Sequence, residues 1–167
     1  MFEIKTAQSK AGTSEEVWQD LQQQLAGHHV QFGFVMGHYS RIPLLCDMPL
    51  KSVAAQWIGG SSCLGVMTGE GVFLQQDSLA LFMIHDEDGH YGSGSAVIEG
   101  ADIAKATHDA LTLALQQAGR PFQVPDLVWC MQPPGTEEAV LKQIEQVLGK
   151  KVPVYGGSSA DDDGSGQ

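Results

Sequence analysis

The chain has 167 residues, of which 43% are hydrophobic, and its 20 acidic and 9 basic side chains give a formal net charge of −11. This composition is typical of a globular domain and excludes a disordered or fibrous chain. The charge argues against DNA, RNA or an anionic membrane surface as a partner, because such binding relies on clustered Lys and Arg.

The first part of the chain predicts two strands around one helix. An opening strand (1–7) precedes a helix whose start is a capping box of Thr13 and Glu16. Four apolar residues lie on one face of this helix: Val17, Trp18, Leu21 and Leu25. Gly27 ends it. Residues 30–37 are apolar and rich in β-branched and aromatic side chains, which indicates a buried strand. The stretch 40–55 stays ambiguous, because two prolines forbid one continuous helix.

The middle of the chain indicates antiparallel strands and turns. Residues 56–58 lead into a glycine-rich loop (59–65), and strands are expected at 71–75 and 78–85, the latter being the most apolar run. A turn at 86–89 follows from its acidic and glycine residues. After it, residues 91–98 are expected to return as an antiparallel edge or hairpin strand.

The last part of the chain predicts helix, strand, helix and strand. Asp102 caps a second helix that Gly119 ends, residues 126–131 are expected to form a buried strand, and Thr136 opens a third helix with acids in its first turn. Residues 152–155 form the last strand. Strand, helix and strand in succession demand a parallel pair with a right-handed crossover. The expected fold class is therefore α/β, a mixed β-sheet flanked by helices with central antiparallel strands.

The tetrapeptide Gly-Gly-Ser-Ser occurs at 59–62 and again at 156–159, each time after a short apolar strand. Glycines let backbone N–H groups approach a ligand, and serines add hydroxyl donors. If the strands run parallel, both segments emerge at one sheet edge, where α/β proteins usually bind ligands. The alternative is that both segments are tight turns without a ligand. The predicted ligand-binding residues are Gly59, Gly60, Ser61, Ser62, Cys63, Gly156, Gly157, Ser158, Ser159 and Asp161.

The chemistry of these residues favours an amino acid as the ligand. Asp161 is expected to meet an ammonium group, which suits an amino acid better than a phosphate. Neither tetrapeptide continues as a phosphate-binding loop or opens a helix as a dinucleotide fingerprint does, so nucleotide binding is disfavoured and no cofactor is predicted. No metal site is predicted either, because His85 and His90 flank an acidic turn and lack the spacing of zinc ligands.

The cysteines indicate a reducing, cytoplasmic environment. Cys46, Cys63 and Cys130 are odd in number and lack a CxxC spacing, so they predict neither a disulfide framework nor a zinc ribbon. No apolar signal segment opens the chain, and its longest apolar run is far below the ~20 residues that span a bilayer. The polar residues 161–167 are expected to be the truncated start of a linker or a second domain.

Enzymatic activity is not expected, because the sequence shows no recognisable combination of a nucleophile with a catalytic acid and base. The alternative is a hydrolase in which Cys63 or Ser62 works with His38 or His85. The structural interpretation of Cys63 is that it is a small, half-buried thiol without a catalytic role.

Residues 57–72 (WIGGSSCLGVMTGEGV) and the apolar strand after them resemble the N-terminal FIST domain. In that family a strand runs into a glycine- and serine-rich loop and then into an acidic, glycine-containing turn. Residues 152–162 (VPVYGGSSADD) are similar to the segment in which the family's last strand opens onto a Gly-Gly loop. The family's first loop often carries Cys directly after its first Gly, where this chain has Gly60, so the resemblance assigns no role to Cys63.

The resemblance implies that residues 1–160 form an intracellular sensory domain of the FIST N-terminal type, proposed to bind small ligands such as amino acids. In bacteria such domains occur alone or beside signal-transduction modules. It also implies a C-terminal FIST domain as partner. A non-catalytic interaction module, bound to that second domain, is a further alternative.

Overall fold

The computed structural model of the chain describes residues 1–25, 30–45, 47–63, 65–74 and 78–160. The predictions for Gly27, Cys46, Asp161 and the rest of the tail lie outside these residues. The chain divides into two compact units. The first is made of residues 1–89 together with Ala160, and the second is made of residues 90–159. The strands are β1 Phe2–Ser9, β2 Val30–Gly37, β3 Ala54–Ser61, β4 Val66–Thr68, β5 Gly71–Phe73, β6 Leu79–Asp86, β7 Val128–Gln132 and β8 Val154–Ser158, and the helices are α1 Ser14–Leu25, α2 Ile42–Leu45, α3 Ile103–Gln117 and α4 Glu137–Leu148.

The first unit is built on a four-stranded mixed sheet in the order β1–β6–β2–β3. Strand β6 pairs antiparallel with both β1 and β2, whereas β2 and β3 are parallel. Leu79, Leu81 and Met83 are buried at alternate positions of β6, because alternate side chains of a strand face the same side. A small antiparallel hairpin of β4 and β5 completes the strands described in this unit. The predicted strands at 30–37 and 78–85 are confirmed.

Helix α1 covers one face of this sheet. The Thr13 hydroxyl accepts from the Glu16 N–H (3.3 Å) and donates to the Glu16 carboxylate (2.9 Å), so the predicted capping box is confirmed. Val17, Leu21 and Leu25 are buried on one side of the helix and join the core of the unit. Their spacing of four residues is that of a helix packed along a single apolar stripe.

Short turns connect β2 to β3 and contain no long helix. They are a 3₁₀ turn at Tyr39–Arg41, helix α2 and a second 3₁₀ turn at Leu50–Ser52. Pro43 and Pro49 keep the segment from forming one continuous helix. This segment is the crossover that a parallel pair requires. The sequence did not reveal the parallel pairing of β2 and β3, because its crossover lacks helical periodicity.

The prediction of an edge or hairpin strand at 91–98 is wrong, since these residues form no strand. The segment lies instead against α3. A Cβ atom at Gly92 would overlap the Ala114 carbonyl oxygen, and one at Gly94 would overlap that of Ala110. The two glycines thus let the backbone approach the helix closely, and helix contact takes the place of strand pairing.

The second unit contains the predicted strand–helix–strand element. Strands β7 and β8 pair in parallel as a two-stranded sheet, with α4 between them in sequence. Asp102 caps α3 by accepting from the Lys105 N–H (2.9 Å). Leu111, Val140 and Ile144 form a small buried core between the two helices and the sheet. The α/β class with a mixed sheet is therefore confirmed.

The close approach of residues 91–98 to α3 predicts that Gly94→Ala destabilises the protein. The added methyl group would meet a helix carbonyl, and we expect a loss of about 1–3 kcal/mol in the free energy of unfolding, measured by urea denaturation. Gly12→Ala is the control, because a Cβ atom there meets nothing within 4 Å. Equal stability of the two variants would contradict this packing.

Candidate functional site

The first tetrapeptide lies mostly inside a strand, so the prediction of a loop from residue 59 is wrong. Strand β3 continues to Ser61, and Gly59 pairs with Val35 of β2. A Cβ atom at Gly59 would overlap the Val35 carbonyl oxygen, so the two backbones approach more closely there than a side chain allows. The Ser62 N–H donates to the Gly37 carbonyl (2.9 Å) and extends the pairing by one residue.

Ser62 and Cys63 form a tight turn directly after β3. The Ser62 hydroxyl donates to the Gly65 carbonyl (2.6 Å), and the Gly65 N–H donates to the Cys63 carbonyl (2.9 Å). Cys63 is exposed. The described histidines form no hydrogen bond with either side chain.

His85, the proposed partner, lies at the far end of the strands from Ser62 and Cys63. It is paired with Glu3 near the end of β6, whereas Leu79 at the start of that strand is paired with Gly37. Six residues of strand separate the two positions by roughly 20 Å. The register therefore keeps His85 away from Ser62 and Cys63, and the hydrolase hypothesis gains no support from it.

The second tetrapeptide repeats the geometry of the first. Strand β8 runs to Ser158, so Gly156 and Gly157 also lie in a strand and not in the predicted loop. Gly156 is paired with Cys130 of the parallel strand β7, and a Cβ atom there would overlap the Cys130 carbonyl oxygen. Its φ of 135° is a backbone conformation that favours glycine. In both tetrapeptides the first glycine thus faces a carbonyl of its parallel partner, and the strand ends two residues later.

A polar network holds the end of β8 against the start of α4. The Ser158 hydroxyl donates to the Glu137 carboxylate and accepts from the Gln132 side-chain amide (3.5 Å). This hydroxyl, with the backbone N–H groups of Glu137 and Gly135, lowers the pKa of the Glu137 carboxyl. The buried Gln132 side-chain oxygen has no hydrogen-bond partner in the described part of the chain. The sequence did not point to Gln132; its one signal is its place at the end of the strand that pairs with the second tetrapeptide.

The ends of β1, β2 and β3 and the start of β6 share one edge of the first unit's sheet. One cross-strand row joins Ser9, Leu79, Gly37 and Ser61 in the pairing register. Four buried polar residues lie at this edge, and we call them the strand-end cluster: Ser9, His38, Arg41 and Ser78. Of these, the sequence pointed only to His38, as a possible base beside Cys63 or Ser62. Ser78 could have been found by its position directly before an apolar strand.

Most members of the strand-end cluster are held by hydrogen bonds to neighbouring residues. The Ser9 hydroxyl donates to Asp20 (2.7 Å) and accepts from the Ala11 N–H (3.2 Å). His38 Nδ1 accepts from the Ser40 N–H (3.3 Å) and lies 2.7 Å from the Ser40 hydroxyl. The cluster is therefore an ordered part of the fold.

Ala160, the residue after the second tetrapeptide, belongs to the first unit. Its N–H donates to the Ser61 carbonyl (3.2 Å) at the end of β3. Just before it, the Ser159 N–H donates to the Gln132 carbonyl (2.9 Å) within the second unit. Ser159 and Ala160 thus each form a hydrogen bond within their own unit.

A metal-ligand cluster and a membrane-spanning helix are both absent from the described residues. In this part of the chain, no group of three or more His, Cys, Asp and Glu side chains is arranged to hold a metal ion. None of its helices combines the length and the apolar character that crossing a bilayer requires.

The α/β fold, with small polar residues at the carboxyl ends of its parallel strands, is of the kind that carries ligand sites at such edges. Residues 31–167 match the FIST N domain, and the chain belongs to this family. The family is a non-catalytic sensory domain of signal transduction. Comparisons with curated proteins and with solved structures found no match.

The bond between Ser158 and Glu137 predicts a pH-dependent effect. Because the pKa of Glu137 is lowered in the folded protein, its contribution to stability is present above the ordinary value of 4.5 and is lost as the pH falls through the folded pKa. Ser158→Ala should raise the pKa of Glu137 towards 4.5, as measured by NMR titration of the carboxyl carbon. Ser159→Ala is the control and should leave that pKa unchanged; an equal response to both would contradict the assignment.

The two described cysteines should differ in reactivity. Cys63 is exposed, whereas Cys130 is partly buried and its burial raises the pKa of its thiol. Since the thiolate is the nucleophile, we expect iodoacetamide to modify Cys63 at least about tenfold faster at neutral pH. Peptide mass spectrometry of a Cys46→Ser variant measures both rates. Similar rates would mean that Cys130 is more accessible than the structure describes.

Proposed function

We propose that this sensory domain binds a small zwitterionic molecule, such as a free amino acid, at the carboxyl ends of its parallel strands. The observation that carries the proposal is that β3 and β8, each one strand of a parallel pair, both end in a segment of small polar residues. In each, the first glycine faces the carbonyl of a parallel partner, and the strand ends at a serine. Small residues at such strand ends leave room for a ligand to approach backbone N–H groups.

The hydroxyl groups divide into two kinds. The Ser62 and Ser158 hydroxyls donate within the chain, so they shape the segments. Among the described residues, the structure gives no hydrogen bond to the hydroxyls of Ser61 and Ser159, which supports these two as ligand donors. Gly60, Gly157 and Cys63 are proposed to line the site, and Asp161 is proposed to meet the ammonium group.

The protein is further proposed to act without catalysis, inside the cytoplasm of a bacterium. The non-catalytic character of the family supports this, as does the Ser62 hydroxyl, which donates to a carbonyl and not to a base. The proposed partner is a C-terminal FIST domain, which would receive the signal of ligand binding. That residues 1–160 act as one sensory domain is part of the same proposal.

A pure interaction module is the second candidate, because the second unit exposes aromatic side chains. Trp129 and Tyr155 are paired in register across β7 and β8 and are 46% and 55% exposed. Neighbouring exposed aromatic residues are typical of binding surfaces. Binding of a separate C-terminal FIST domain without any small-molecule effect would favour this candidate.

Gly157→Val tests the ligand site. A Cβ atom at Gly157 meets nothing within 4 Å, so the variant should fold while its side chain fills the space above the segment. We expect at least one common L-amino acid to raise the melting temperature of the natural protein, since a ligand that binds only the folded state stabilises it. The same amino acid should bind the variant at least about tenfold more weakly, by isothermal titration calorimetry.

Gly12→Val is the matched control, because it also has open surroundings and lies apart from both tetrapeptides in sequence. It should keep the affinity of the natural protein. The proposal fails if no amino acid stabilises the natural protein, or if Gly157→Val binds as tightly as the control.

A further inference from the structure

Arg41 is a buried cation at the strand-end edge of the first unit. It ends the 3₁₀ turn that directly follows β2, and only 9% of the residue is exposed. Its Nη2 donates to the Ala11 carbonyl, and its main-chain N–H donates to the His38 carbonyl (2.8 Å). Because a guanidinium is a cation, the fold holds a positive charge there.

Among the residues that the structure describes, no carboxylate neutralises this charge. The ion pairs found there involve other cations, and the buried Nε–H of Arg41 has no acceptor. Burial of an unpaired charge is costly, and proteins ordinarily pair it. A chain with 20 acidic residues has many carboxylates to offer, yet none of the described ones forms an ion pair with Arg41, and the Asp20 carboxylate at the same edge accepts from the Ser9 hydroxyl instead. The position therefore suits an anion from outside the chain.

Ser78 supplies a second unpaired donor. It directly precedes β6 and is 1% exposed, and its carbonyl accepts from the His38 N–H (3.3 Å). Its hydroxyl has no hydrogen-bond partner in the described part of the chain. A fully buried hydroxyl is ordinarily hydrogen-bonded, so Ser78 is a second polar group at this edge that an added acceptor would satisfy.

The order of the strands brings these two residues to the same edge of the sheet. The start of β6 lies between the ends of β1 and β2, because β6 is paired with both. The Arg41 side chain begins after β2 and reaches Ala11, which lies beyond the end of β1. It therefore bridges the ends of the two strands that flank β6, and Ser78 lies directly before the start of β6.

We infer that Arg41 and Ser78 together bind the carboxylate group of the domain's small ligand. This inference rests on the proposed function and names the residues that recognise the acidic group. A guanidinium N–H and a hydroxyl are both good donors to carboxylate oxygens, and the charge-assisted bond is the stronger of the two. A single cation in a protein of net charge −11 suits one carboxylate better than a doubly charged phosphate.

Arg41 and Ser78 are both buried, so binding of a carboxylate to them is coupled to a movement of the chain around them. Residues 39–45 carry Arg41, and helix α2 within them has no buried residue. Leu44 and Leu45 of this helix are only half-buried where they pack against the core, and such a segment opens more readily than the core of a sheet. Entry of a carboxylate requires this segment to open, and its pairing with Arg41 then fixes the segment again. Ligand binding would in this way change the crossover between β2 and β3, which a partner domain can sense.

The test compares common L-amino acids with their carboxamides, by thermal shift and then by calorimetry. For the amino acid that binds the natural protein best, the carboxamide should bind at least about tenfold more weakly, because it lacks the charge. Arg41→Met should remove most of this preference for the acid, and Ser78→Ala should reduce it to a smaller extent. Lys51→Met is the control, since it removes an exposed cation from the same crossover and should keep the preference.

The outcomes separate this inference from the proposed function. If no amino acid binds the natural protein, the proposed function fails and the inference fails with it. If an amino acid binds but its carboxamide binds equally well, or Arg41→Met keeps the preference, the inference alone is overturned. Without ligand, Arg41→Met should melt at or above the temperature of the natural protein, since methionine buries no unpaired charge. If that variant does not fold, Ser78→Ala decides: an unchanged preference for the acid overturns the inference, and a reduced one supports it.

Discussion

The pairing of β6 with a strand on each side organises the first unit. Its side chains at alternate positions are buried, and its backbone joins β1 to β2 with both pairings antiparallel. Because β6 runs opposite to both neighbours, its start lies beside their ends. Strand β3 joins in parallel with β2 and ends at the same edge. The strand-end cluster follows directly from this topology, since the connections after β1 and β2 begin on either side of the strand that Ser78 precedes.

The two parallel pairs obey a second constraint, the close approach of backbones at a glycine. Gly59 faces the Val35 carbonyl and Gly156 faces the Cys130 carbonyl, at positions where a Cβ atom does not fit. These glycines are therefore required by strand pairing itself, apart from any ligand. The second glycine of the later pair, Gly157, has open space and is not required in this way. Within one short segment, strand pairing thus requires the first glycine and leaves the second one free of that constraint.

The first unit carries several polar residues in places where apolar ones would stabilise the fold more simply. Ser9 and His38 are satisfied by neighbours, whereas Arg41 and Ser78 each keep a buried donor that has no partner in the part of the chain that the structure describes. Such groups lower stability unless something else pairs with them. A sensory domain that is more stable with its ligand than without it has the property that sensing needs, because ligand binding then shifts its conformational equilibrium.

Local signals in the sequence determined most of the elements. The capping box of α1, the apolar run of β6 and the strand–helix–strand order near the end are set by residues close in sequence, where periodicity and turn residues act. The family resemblance also rested on such short segments, and residues 31–167 match the family. The tertiary structure alone decided the parallel pairing of β2 with β3 and the packing of residues 91–98 on α3. It alone decided, too, that both tetrapeptides extend strands and that Arg41 is buried. Each of these depends on a backbone or charge meeting a partner far away in sequence, which no local pattern records.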